Sequence, residues 1–219
     1  MNRHLRIKAV GYLFIILLAG CNPMNTASER HDNGDTTADG DPVYRKNPHP
    51  TQAYRITMTI ENAPGPFEWI SATAYYQMTN HKQCTPIEPI EGVWSKSDED
   101  VIPVHFEKID TSTYTAMIYA DGMIDADYYG KGECHFELDG VGISLRATGK
   151  KEETRFQPAL FKAEIHSSKP VKFYFWKGGY PRSQMADYPD TGEYSADKYA
   201  EPNRSNLFQV SLKSERAYK

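Results

Sequence analysis

The strongest constraint on this chain is an alternation of apolar and polar residues that begins near residue 51 and recurs towards the C-terminus. Tyr54, Ile56, Met58 and Ile60 alternate with Arg55, Thr57, Thr59 and Glu61. Successive side chains of an extended strand point to opposite faces, so a period of two reads as a strand buried on one side. After Ala63-Pro64-Gly65-Pro66 the pattern returns in Ile70, Ala72, Ala74, Tyr76 and Met78. Weaker runs lie at 101–109 and 113–120, the second with Tyr114, Ala116 and Ile118 on one face. Phe136 and Leu138, then Val141, Ile143, Leu145 and Ala147, read as two strands about a turn at Asp139-Gly140. Further alternation joins Ala159, Phe161, Ala163 and Ile165, then Val171, Phe173 and Phe175, and finally Phe208, Val210 and Leu212. About eight or nine strands with single apolar faces, and no convincing amphipathic helix, call for two packed sheets or a barrel. The expected fold is one all-β domain, an antiparallel β-sandwich over residues 51–219.

Composition bounds the function. With 39% hydrophobic and 25% charged residues the chain can build a core. Its formal charge of −4 makes it a poor electrostatic partner for nucleic acid. Residues 1–20 read as an export signal, with Arg3, Arg6 and Lys8 ahead of the apolar run Val10 to Leu18. That run is too short to span a bilayer, which needs about 20 apolar residues. Residues 22–50 are polar and nearly free of aliphatic side chains, so they are expected to form a flexible linker.

Leu18-Ala19-Gly20-Cys21 resembles the lipobox of bacterial lipoproteins. The resemblance implies acylation of the Cys21 sulfur, cleavage before it, and anchoring of the chain by its N-terminal acyl chains. Asn22 stands where that family carries Asp for inner-membrane retention, which implies the outer membrane, with the domain facing the periplasm or the cell surface.

With Cys21 lipidated, Cys84 and Cys134 remain as a disulfide pair in an oxidising compartment. A bridge closing a loop of about 50 residues is worth roughly 4 kcal/mol in the chain-entropy picture. The rival is zinc on His81, Cys84, Cys134 and His135, but adjacent strand residues such as Cys134 and His135 point to opposite faces. No cofactor and no metal are expected. Catalytic motifs are missing: there is no G-x-S-x-G, Walker A, H-E-x-x-H or G-x-G-x-x-G after a strand. Asp121-Gly122-Met123-Ile124-Asp125-Ala126-Asp127 has the look of a calcium loop without the Glu that would complete it. A non-enzymatic protein is expected.

Residues 176–202 stand out as a contact surface, with Trp176, Tyr180, Tyr188, Tyr194 and Tyr199 set among Asp187, Asp190 and Glu193. Tyr and Trp offer rigid contact area at low entropic cost, and acidic neighbours steer a basic partner. The competing reading makes this stretch a lid whose tyrosines cover the sandwich edge.

The stretch Asp125-Ala126-Asp127-Tyr128-Tyr129-Gly130-Lys131-Gly132-Glu133-Cys134, with the strands after it and Thr154-Arg155-Phe156, is similar to a group of proteobacterial lipoproteins. Some of these resemble immunity proteins that neutralise antibacterial effectors, including phospholipases delivered by type VI secretion. The resemblance implies a protein partner, a secreted toxin, and transfers no catalytic residue. A structural or assembly lipoprotein of the envelope is the alternative.

Overall fold

The computed structural model describes residue 36 and residues 41–94, 96–183 and 188–218. Asp35–Lys219 forms one compact unit. Cys21, residues 1–20 expected as an export signal, and Asp187 lie outside the described residues.

Among the described residues, nine strands build two antiparallel sheets that pack as a sandwich. The first sheet has the order β4 (Glu107–Lys108), β5 (Thr113–Tyr119), β1 (Ala53–Glu61), β9 (Leu207–Arg216) and β8 (Val171–Trp176). The second has the order β3 (Glu99–Val104), β2 (Trp69–Met78), β6 (Phe136–Arg146) and β7 (Ala159–Phe161). The alternation decides which faces meet. Tyr54, Ile56, Met58 and Ile60 of β1 are buried against Ala72, Ala74, Tyr76 and Met78 of β2 within one continuous core. Phe208, Val210 and Leu212 of β9 and Phe173 and Phe175 of β8 complete it.

Three expectations are corrected. Asp139-Gly140 is not a turn: β6 runs unbroken from Phe136 to Arg146, and its register against β2 slips between Tyr75 and Tyr76. One extra residue in β6 makes a β-bulge, which returns apolar side chains to the core face on the opposite parity. Gly140 fits there because a Cβ would lie 2.6 Å from the Leu160 carbonyl oxygen. The 159–165 alternation is also no strand. Only Ala159–Phe161 pairs with β6, with Leu160 buried and Phe161 out, and Lys162–Ser167 then forms a short helix. The Glu164 carboxylate accepts the Phe161 N–H at 2.9 Å, starting the helix, and Ile165 is wholly buried.

The third correction concerns residues 41–50, expected as part of the linker, which bond to the domain. Ile124 N–H donates to Arg45 C=O at 2.9 Å and Asn47 N–H to Gly122 C=O at 2.8 Å. Tyr44 packs edge-on against Tyr128 and tilted against Phe136, each with ring centroids 5.1 Å apart. The polar composition of 41–50 does not prevent ordering, because its backbone finds partners and Tyr44 supplies the apolar grip.

The strand registers give the sandwich two distinct ends. Ala53, Tyr119, Met78 and Phe136 lie at one, where the Tyr76 hydroxyl donates to Tyr119 C=O across the sheets at 2.6 Å. Glu61, Leu207, Trp69 and Arg146 lie at the other, where Phe67, just ahead of β2, meets Phe208 with centroids 5.7 Å apart.

Candidate functional site

The disulfide belongs to the first end. Cys84, closing the single-turn helix His81–Cys84, and Cys134, just before β6, are joined with an S–S distance of 2.10 Å and their Cα atoms 5.3 Å apart. Both are buried. The bond removes the two thiolates that the zinc reading needed, and His81 Nε2 is instead 2.8 Å from Lys96 C=O.

The aspartates of the calcium-like stretch diverge onto backbone and side-chain partners. Asp121 accepts the N–H groups of Thr51 and Gln52 at 2.8 and 2.9 Å and the Thr51 hydroxyl at 2.9 Å. Burial pushes its carboxyl upward, but these donors outweigh it and hold the carboxyl below its ordinary value. Asp127 accepts Lys131 N–H at 3.0 Å. Asp125 accepts Phe136 N–H through one oxygen and meets His135 Nδ1 at 2.9 Å through the other. That hydrogen bond raises the His135 imidazole above its usual range. Asp125, Glu133 and His135 bring one ligand atom each within 4.8 Å of one another, all three exposed. The geometry already satisfies Asp125 and His135 through each other.

The other end carries the aromatic and acidic stretch. There the described part of 176–202 splits into two roles. Tyr180 and Tyr199 are tied down. The Tyr180 hydroxyl donates to Pro66 C=O at 2.6 Å and its ring packs on Phe67 at 5.4 Å. The Tyr199 hydroxyl donates to Tyr174 C=O at 2.6 Å, and burial, followed by the charges of Asp190 and Glu193, pushes its ionisation well above the usual tyrosine range. Tyr174 and Glu193 also exchange backbone hydrogen bonds of 2.7 and 2.9 Å, which cover the outer edge of β8.

Trp176, Tyr188 and Tyr194 instead face outward, with relative exposures of 39%, 80% and 60%. Trp176 and Tyr188 line a cleft of about 450 Å³ with Thr154, Asp190, Glu193 and Tyr199. Asp190 is fixed by its backbone, accepting from Gln157 N–H at 2.7 Å and donating to Arg155 C=O at 2.9 Å. Burial raises its carboxyl above the ordinary aspartate value, the Glu193 charge adds to this, and the Gly192 N–H at 2.9 Å opposes it. Thr154, which the sequence marked only through the lipoprotein resemblance, donates its hydroxyl to Gly179 C=O and accepts Ser183 N–H, holding the cleft floor to the 179–183 turn. The lining holds no histidine, cysteine, lysine or arginine among the described residues. Two carboxylates between aromatic walls suit a cationic side chain, by charge and by cation–π contact.

No family model, curated protein or solved structure matches this chain. No helix among the described residues is long and apolar enough to cross a membrane.

Proposed function

We propose that this chain is an outer-membrane lipoprotein whose β-sandwich binds another protein in the periplasm, and that it acts as an immunity protein neutralising an antibacterial effector. The observation that carries the binding role is the cleft of Trp176, Tyr188, Asp190 and Glu193, which lies at the end of the sandwich away from the N-terminal segment 41–50. A chain held by Cys21 would then leave its aromatic, acidic surface facing the periplasmic space. Interface energy concentrates in a few Trp, Tyr and Arg residues, and Trp176 and Tyr188 have the needed exposure. The Cys21 motif and the resemblance of residues 125–134 to immunity lipoproteins support the anchor and the effector-binding role respectively.

The test is affinity capture with the full chain as bait against the product of the adjacent gene. The expected result is a stable complex that Trp176→Ala weakens, together with loss of membrane fractionation in Cys21→Ser. No complex with that product defeats the immunity role. Unchanged membrane fractionation of Cys21→Ser defeats the anchor.

A further inference from the structure

The loop between the single-turn helix and β3 bears an unusual apolar tip at the disulfide end. Ile90 is 98% exposed, and Ile87, Val93 and Trp94 beside it are also exposed. Such a concentration on a short loop marks a contact with another apolar body, since scattered exposed residues alone need no explanation. The loop is also stiff. Glu88 N–H donates to Val93 C=O and Gly92 N–H donates to Glu88 C=O, both at 2.8 Å. Gly92 adopts a φ of +67°, which favours glycine, and Pro86 and Pro89 limit the remaining backbone freedom. The tip therefore loses little conformational entropy when it is buried.

The root of this loop is where the N-terminal segment joins the domain. Lys96 pairs with Asp41 at 2.6 Å, and the Tyr44 hydroxyl donates to Ser97 C=O. Twenty positions separate Cys21 from Asp41, and a chain of that many residues typically reaches about 25 Å. The acylated end would hold the bilayer within that distance of the loop root. Over the Trp94 ring, at 5.4 Å, sits the Lys82 ammonium. Trp and Lys together suit headgroup depth, where an aromatic body and a charged tip meet a wet boundary. Between Lys82 and Lys96 the loop carries Glu88 and Glu91, so its charges balance and neither repel nor require an anionic surface.

We propose that the 86–94 loop is a membrane-contacting finger that seats Ile90 at the acyl–headgroup boundary of the bilayer holding the acylated N-terminus. The finger turns the sandwich so that the disulfide end faces lipid and the Trp176–Tyr188 cleft faces away. This rests on the lipid-anchor reading above.

The test uses the full-length acylated protein in vesicles of phosphatidylethanolamine with some phosphatidylglycerol. Ile90→Cys provides one reactive thiol, because Cys84 and Cys134 are bonded and Cys21 would carry lipid. Lys150→Cys, beyond the Arg146 end of β6 and so at the opposite end of the sandwich, is the control. An environment-sensitive fluorophore at 90 should shift to the blue and be quenched several-fold more by nitroxide-labelled lipids than the same probe at 150. Equal, weak quenching at both positions in protein that floats with the vesicles overturns the finger and leaves the anchor standing. Absence of acyl chains on Cys21 by mass spectrometry overturns the anchor and the finger with it. A probe at 90 that ignores lipid but becomes shielded when a captured protein partner is added overturns the membrane assignment in favour of a protein contact.

Discussion

At one end of the sandwich Cys84 and Cys134 are bonded, and Tyr44, Tyr128 and Phe136 cluster beside the incoming N-terminal segment. At the other end Phe67, Phe156, Phe175 and Phe208 meet with centroid separations between 5.2 and 5.8 Å, and no covalent link is present among the described residues. The first end is closed largely by constraint on the unfolded chain, the second by packing gained in the folded one. A domain can thus be fastened at one end and still present a shaped surface at the other. Tyrosines with bonded hydroxyls, Tyr180 and Tyr199, hold that second end together, while Trp176 and Tyr188 remain free to meet a partner.

Removing each closure in turn should separate the two ends. Cys84→Ser and Cys134→Ser should each cost about 4 kcal/mol, with the double variant no worse than either. Phe156→Ala, at a fully buried position, should cost about 3–5 kcal/mol. Urea unfolding separates the two: losing the disulfide should steepen the denaturant dependence by expanding the unfolded chain, and losing Phe156 should leave the slope unchanged. Identical slopes would mean that the bond works through the folded state.

Next comes the division of labour among the tyrosines. Tyr188→Ala should weaken partner binding by about 2 kcal/mol or more with little change in melting temperature. Tyr199→Phe, which deletes the hydroxyl bonded to Tyr174 C=O, should lower stability by about 1 kcal/mol. If Tyr188→Ala melts early and binds normally once folded, that residue is part of the lid.

A smaller effect tests the disulfide end. Asp121→Asn should destabilise by about 1 kcal/mol at neutral pH, because an amide accepts the Thr51 and Gln52 N–H groups less strongly than a carboxylate. The native carboxyl titrates below its unfolded value, so its stabilisation is present at neutral pH and lost as the pH falls through the depressed native range. The gap between wild type and variant should therefore close from about pH 4 downward. A gap independent of pH would assign the effect to packing. The smallest change is expected at Ser214, fully buried with no hydrogen-bond partner for its hydroxyl among the described residues. Ser214→Ala should be neutral or stabilising, within about 0.5 kcal/mol, by thermal melting.

Sheet composition was legible in the sequence because β1, β2, β5, β8 and β9 obey strict alternation and their inward sets are the ones buried. The short helix at Lys162–Ser167 was not, because its initiating contact from Glu164 to the Phe161 N–H is satisfied only in three dimensions. The order of 41–50 escaped for the same reason: Arg45 and Asn47 bond to a segment more than seventy residues away. The aromatic stretch was legible as unusual but not in its division, since hydroxyl partners such as Pro66 C=O and Tyr174 C=O carry no local signature. The finger at Ile90 had only its prolines and Gly92 to mark it.

The extra residue in β6 has a consequence for how this chain can change. Its two halves are written in opposite phase, with Phe136 and Leu138 on even positions and Val141, Ile143 and Leu145 on odd ones. Asp139 is exposed, so its side chain is free to vary, yet its backbone acts as a frame marker. Deleting that single position would swing Glu137 towards the core and Phe136 and Leu138 towards solvent, whatever residue had stood there. Length at this point is therefore held more tightly than identity.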